Sequence, residues 1–469
     1  MPNELSESPN IQLVEKILEG LANVRIARKG WFDSEEEATE QESLAFKIGE
    51  TLRCFLIARQ VYPDRFVSFP LDEKIILYDI SEVLTSVRKK GFYPSPYSPI
   101  PNVNDQYTDF AAFCLDFCDL VYNYSLYKNK KNLQSLSQNV AKQALSLLIN
   151  PRNFLNDAEG SRWAGTTMFA RETKVREYYT DTYFTSVVIT ALRKVLERPV
   201  LGLSDREKDN IRRLIRNAGQ WIVLRSDNGL LTGDEKKSIK KLIYSTWGLR
   251  ALTETYDTQA EDIRKLMPSI IVTYLKEVKE KLNREGVSLG QEYFTILSPS
   301  VETPLYYEDR SDWGGIFLTL VSFRKLPEID SLLEDAGYKQ ILDSVYNGLL
   351  LLRDPFTKLW YRDKLILSIH SYLTEGFLLY ERQAKDFGTV LNITSGMLRK
   401  AIKDTLTDDS VLTTLQQVVY NKLLRTAEKT AQDKVIDQGI EEAAKEIHRV
   451  RDRSKSDIRY SKVSRRRSK

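Results

Sequence analysis

Histidine is almost missing from this chain. His370 and His448 are the only two in 469 residues, too thin a set for a zinc centre built on imidazoles. Cysteine is nearly as sparse. Cys54, Cys114 and Cys118 cannot make a disulfide framework, and all three fall in helical, apolar patterns. Cys114 and Cys118 stand four apart on one helix face, a spacing zinc accepts, but two buried helix thiols explain them as well. Neither metal nor cofactor is expected. Glycine supplies no phosphate loop: Gly229 and Gly233 are isolated and no Gly-Lys-Ser/Thr follows. Gly314-Gly315 reads as close helix packing. No nucleophile elbow or Ser-His-Asp set can be assigned. Long hydrophobic runs are absent too. Stretches such as 344–352 fall far short of the ~20 residues a membrane helix needs. The opening, 1–10, is polar and lacks the basic and apolar regions of a secretory leader. The expectation is a cytoplasmic protein in a reducing compartment, with no membrane span.

What is present fits a globular protein, at 42% hydrophobic and 29% charged residues. Its charge is divided. Residues 449–469 hold ten Lys/Arg against Asp452 and Asp457, a net of +8, so a total of +4 leaves −4 on the rest. The body is therefore mildly acidic, and the basic pI belongs to the tail. That tail, with Tyr460 and interspersed serines, has a disordered composition that attracts polyanions. Arg459, Lys462, Arg465, Arg466, Arg467 and Lys469 are its candidate contacts to nucleic acid. A solubilising charged end accounts for them equally well.

Between about residue 41 and residue 386 one pattern recurs roughly six times. An apolar helix opens on an aromatic and polar cluster, an amphipathic helix follows, and a loop returns. The openings lie at 41–43, 107–109, 178–181, 243–247, 306–313 and 368–372. Two outer-helix endings share a layout, Ile222 to Gly233 and Leu349 to Tyr361: an apolar end, an Arg, a tight turn, an apolar or aromatic return. Residues 151–163 look like a degenerate copy.

This layout resembles the α/α-toroid superfamily, and at motif level the prenyltransferase-type repeats. The resemblance implies an all-α ring of about six helical hairpins over 41–390. Before it come an N-terminal helix and acidic loop (1–40), and after it a helical arm (391–448) and the basic tail (449–469).

The superfamily's chemistries set the candidate residues. A prenyltransferase holds zinc by Asp, Cys and His; His370 stands at an inner-helix position, but no cysteine follows in a later repeat. A terpene cyclase protonates an alkene with a carboxylic acid, which must be kept in its protonated form. The nearest cluster, Asp309-Arg310-Ser311-Asp312, carries an arginine that would lower its neighbours' pKa values. A glycosidase needs two carboxylates across a cleft, and Asp109, Asp181, Asp309, Asp312 and Glu375 are each expected near the mouth of the ring. Tyr183, Tyr244, Trp247, Trp313 and Tyr372 are expected at the same rim, where they would stack on a ligand or fill the centre. The expectation is a non-catalytic binding platform with protein partners, a subunit of a larger assembly. The alternative is a toroid enzyme, a glycan hydrolase with paired carboxylates or a cyclase-like acid catalyst.

Overall fold

The computed structural model describes residues 8–26, 30–31, 45–66, 70–92, 106–123, 130–165, 182–197, 201–227, 229–231, 242–288, 293–296, 305–308, 312–326, 329–360 and 369–382. The chain divides into two compact units. One is Met1–Phe323 with Leu332–Tyr380, and the other is Arg324–Ser331 with Glu381–Lys469. The first carries the ring.

Six helices form its inner layer among the described residues. They are α2 (Ala45–Val61), α4 (Thr108–Asn123), α6 (Thr182–Glu197), α8 (Leu242–Glu254), α10 (Asp312–Phe323) and α12 (369–382). Each of the first four packs on the next. The sixth closes the circle. Its Phe377 lies 5.3 Å from Phe317 of α10, and Ser371 and Glu375 take hydrogen bonds from Arg53 of α2. The outer layer comprises α3 (Glu73–Lys90), α5 (Lys131–Ile149), α7 (Asp205–Leu224), α9 (Glu261–Glu285) and α11 (Tyr338–Leu351). The sixth outer place goes to α1 (Pro9–Asn23), whose Asn10 accepts from Tyr346 of α11 at 3.0 Å and whose Gly20 abuts Leu359. The fold is an all-α toroid.

Burial patterns explain the two layers. Every residue of α8 from Ile243 to Thr253 is buried, as expected of a helix enclosed on all sides. In α7 burial follows a stripe, Ile211, Leu214, Ile215, Ala218 and Ile222, which widens in the last turn to take in Trp221 and Val223, while Arg212, Arg213 and Arg216 face water. Caps fix where helices start. Asp72 accepts from Lys74 N–H at 2.7 Å, and Ser204 with Glu207 forms a reciprocal capping box. The Gly314-Gly315 pair is not explained by packing at Gly315, where a Cβ would meet its neighbours at an ordinary 3.5 Å. Close approach is demanded instead at Gly376, where a Cβ would lie 2.7 Å from the Phe317 ring.

The returns between hairpins repeat one device. An indole N–H donates to a carbonyl in the last turn of the preceding outer helix: Trp31 to Leu21 at 2.7 Å, Trp163 to Leu148 at 2.9 Å, Trp360 to Leu349 at 2.9 Å. Such carbonyls have no partner inside their own helix. A backbone N–H of the return, that of the tryptophan itself in two cases, then donates forward to a side chain in the first turn of the next inner helix. Trp163 donates to Thr185 at 3.1 Å, Leu231 to Ser245 at 2.9 Å, and Trp360 to His370 at 3.1 Å. Three short antiparallel pairs decorate these returns: β1 (Leu155–Asp157) with β2 (Gly160–Arg162), β3 (Ser226–Asp227) with β4 (Leu230–Leu231), and β5 (Tyr293–Ile296) with β6 (Leu305–Glu308).

Candidate active site

Five of the six inner helices send a charged side chain to the ring axis. Arg53 of α2 is the hub. Its Nε donates to Asp116 of α4 at 2.9 Å, its Nη1 to Ser371 Oγ at 2.9 Å and its Nη2 to Glu375 of α12 at 2.8 Å. Lys194 of α6 reaches the other oxygen of Asp116 at 2.8 Å. Arg250 of α8 reaches Glu375 at 3.1 Å while lying over the Trp247 ring, 5.4 Å from its centroid. Ions this far from water survive only when paired and hydrogen-bonded. The pairing sets their protonation. Burial pushes the Asp116 carboxyl up, but Lys194 and Arg53 outweigh it and bring it down to about 2. Burial likewise opposes ionisation of Glu375, and Arg53 and Arg250 hold it well below the usual carboxylate range. Burial also works against the Arg53 charge, yet Glu375 and Asp116 raise its pKa.

Beside this cluster lies a cavity of about 100 Å³, lined by Arg53, Asp116, Lys194 and Arg250 and by Glu50, Asp109, Phe113, Tyr183, Trp247, Ser371 and Tyr372. Its aromatic wall is continuous. Tyr183 meets Trp247 edge-on at 5.5 Å, and Trp247 meets Tyr372 at 5.2 Å.

Among the residues expected at the mouth, Asp109, Tyr183, Trp247 and Tyr372 line this cavity, and Glu375 is bonded to two of its lining residues, Arg53 and Arg250. Tyr244 and Trp313 are buried and do not line it. The Trp313 ring instead carries the Lys281 ammonium 5.8 Å from its centroid. His370 is fully buried, and its Nε2 accepts from the backbone of Trp360. It does the work that Thr185 and Ser245 do in the equivalent returns. Asp181, Asp309 and Arg310 lie outside the described residues, as do the side chain of Asp312 and the tail cations Arg459, Lys462, Arg465, Arg466, Arg467 and Lys469. Arg250, on the inner helix α8, serves Glu375.

Arg53, Asp116, Lys194 and Glu50 escaped the sequence reading. The signal for Arg53 and Asp116 was a charge enclosed in apolar sequence, in Leu52-Arg53-Cys54-Phe55 and Leu115-Asp116-Phe117, where a solvated helix face would show charges in company; Lys194 and Glu50 carried no such signal. The cysteines offer no chemistry. Burial pushes the Cys54 thiol up to about 12 and raises Cys114 and Cys118 as well, which suppresses the thiolate that acts as nucleophile or metal ligand. Among the described residues no group of His, Cys, Asp and Glu could hold a metal ion, and no helix is long and apolar enough to cross a membrane.

No protein-family model matches the chain, and no curated protein matches it. Solved structures do. A D-mannose isomerase aligns with TM-score 0.52 at 11% identity, over 81% of this chain and 100% of its own. A family 76 glycoside hydrolase from a bovine Bacteroides thetaiotaomicron strain aligns with TM-score 0.51 at 12% identity, over 80% and 77%. An inactive double-aspartate variant of the α-1,6-mannanase of a Salegentibacter species, in complex with α-1,6-mannotetrose, aligns with TM-score 0.50 at 11% identity, over 80% and 99%. The shared property is the ring.

Two expectations are corrected here. The ring is matched by glycoside hydrolases and a sugar isomerase, so the likeness to prenyltransferase-type repeats is not upheld beyond the toroid layout. A non-catalytic platform is likewise overturned, because these toroids are enzymes of sugar chemistry.

Proposed function

We propose that this chain is a carbohydrate-active enzyme that hydrolyses a glycosidic bond in the axial cavity. The observation that carries the reading is the joining, in one cavity, of aromatic walls and acidic side chains at the centre of a sugar-enzyme type of ring. Aromatic side chains bury the apolar face of a sugar, and carboxylates and guanidinium groups bond its hydroxyls. Hydrolysis needs one ionised carboxylate beside the positive charge that develops on the sugar, and one carboxylic acid to protonate the leaving oxygen. Asp116, held ionised by Lys194 and Arg53, suits the first role. Glu50, buried in the same cavity one helical turn from Arg53, is assigned the second. A volume near 100 Å³ is small beside the ~300–1,000 Å³ of drug-sized sites, so the cavity takes one terminal residue.

The test is release of reducing sugar by the full chain from a panel of aryl glycosides and oligosaccharides. Asp116→Asn and Glu50→Gln should each lower kcat by about 10²–10⁴-fold. Absence of turnover on the whole panel, or wild-type rates in both variants, would refute the assignment. The same small cavity and the likeness to a mannose isomerase support a second reading, isomerisation of a free monosaccharide. Exchange of solvent deuterium into a free hexose, without cleavage of any glycoside, would select it.

A further inference from the structure

Four aromatic side chains among the described residues line the cavity, and three of them pack on one another. Tyr183 and Tyr372 each lie edge-on to Trp247, the Arg250 guanidinium sits over the Trp247 ring, and all three rings are buried. Phe113 of α4 differs. From Phe110 to Val121 every residue of that helix is buried except Phe113, which keeps accessible surface and lines the cavity. Covering a large apolar side chain stabilises a fold, so an accessible ring in the middle of an enclosed helix marks surface left for a ligand.

The ring is held from several sides. Phe110 and Phe117 lie nearly parallel to it, with centroids 6.2 and 5.8 Å away. Its edge rests against α2 at Gly49, where a Cβ would come within 2.8 Å of Cε1 and 3.1 Å of Cζ. A side chain at residue 49 would displace the ring. The same contacts put Phe113 beside both carboxylates assigned to catalysis. Glu50 follows Gly49 in the chain. Asp116 stands one helical turn after Phe113 on α4, a spacing that makes neighbours of the two side chains, with Cβ atoms about 5–6 Å apart.

We propose that Phe113 is the seat of the sugar, the ring on which a pyranose packs its C–H face beside Asp116 and Glu50. The proposal rests on the reading of this cavity as a sugar site. A pyranose carries its hydroxyls around the rim of the ring and leaves C–H groups above and below. Packing those groups on an aromatic ring removes apolar surface of both from water. Phe113 has no proton to give or take, so its part is binding and orientation. Binding of that kind acts on ground state and transition state alike, and its loss falls on KM rather than kcat.

The test measures kcat, KM and melting temperature of the full chain on the glycoside or free hexose it turns over best, in the parent and in Phe113→Leu and Phe113→Met. Both substitutions keep apolar filling and remove the aromatic ring. Each should raise KM roughly three- to ten-fold, the scale of a lost aromatic contact, with kcat within about two-fold of the parent. Gly49→Ala moves the ring without removing it and should raise KM in the same way, which keeps the test alive if the Phe113 variants do not fold. Phe117 stacks on Phe113 but does not line the cavity, so Phe117→Leu should lower the melting temperature and leave KM unmoved. Parent KM values in the Leu, Met and Gly49 variants would overturn this inference. So would an equal rise of KM in Phe117→Leu, which would mark lost packing and not a lost seat. Either result leaves the sugar reading standing, because the parent turns a sugar over. No turnover of any glycoside or free hexose by the parent would overturn both.

Discussion

At the scale of single residues, the axis is governed by Arg53 and the two carboxylates it bridges. Its removal would leave Asp116 with one cation and Glu375 with one, both nearly out of water. Breaking a buried pair on one side costs about 3–5 kcal/mol. Arg53→Ala should therefore lower unfolding stability by about that amount, read from the denaturant midpoint. The sign of the pH dependence follows from Asp116. Its folded pKa, about 2, lies below the ~3.9 of an unfolded aspartate. Its ionised form thus favours the native state fully above about pH 5, and that contribution fades as pH falls through 4 toward 2. Asp116→Asn should be less stable than the parent at pH 7 and show a shallower loss between pH 5 and 2 in thermal melts. An unchanged acid limb would mean that other carboxylates dominate it.

At the scale of elements, the returns show how six hairpins are fastened with few kinds of part. A tryptophan binds the end of one helix through its ring and the start of the next through its backbone. Trp360→Phe keeps the apolar volume and loses the indole donor to Leu349, so it should cost about 1 kcal/mol, whereas Trp360→Ala should cost about 3–5 kcal/mol. His370→Ala should cost about 1–3 kcal/mol by leaving the buried Trp360 N–H without an acceptor. Chelators should leave thermal stability of the parent unmoved. A melting point that falls with chelator, in the parent but not in His370→Ala, would contradict the structural role.

Much of this scale was legible in the sequence. The common layout of the endings at 222–233 and 349–361 was visible because turns are local. The role of His370 was hidden. Its equivalents are Thr185 and Ser245, and no residue-type signal links an imidazole to two hydroxyls when only their hydrogen-bond acceptance is shared. The axial charges were hidden for another reason. Arg53, Asp116, Lys194, Arg250 and Glu375 lie on five helices, and their pairing appears only when the ring closes. Sequence position suggested the inner-helix starts, and the ion cluster proved to sit further along those helices.

At the scale of the whole ring, closure depends on the seam between α10 and α12, where Gly376 leaves room for Phe317. A bulkier residue there must displace a ring that itself packs on Phe377 at 5.3 Å and Tyr346 at 6.1 Å. Gly376→Val should cost about 1–3 kcal/mol by overpacking, measured by urea unfolding. If the axial cluster depends on this seam, the variant should also lose catalytic rate in excess of any change in KM.

The hub has one further consequence, and it concerns time. Arg53 meets Asp116 across 63 residues of chain, but it meets Ser371 and Glu375 across 318 and 322. Contacts so distant along the chain form slowly, because the loop between them must be closed before it is rewarded. On the ribosome, where synthesis proceeds from the N-terminus, the α2–α4 pair can form early. Most of the Arg53 guanidinium must then wait until more than three hundred further residues have emerged. The last inner helix acts as a keystone, and a chain released before residue 375 would hold a half-matched cation at the centre of an unfinished arch.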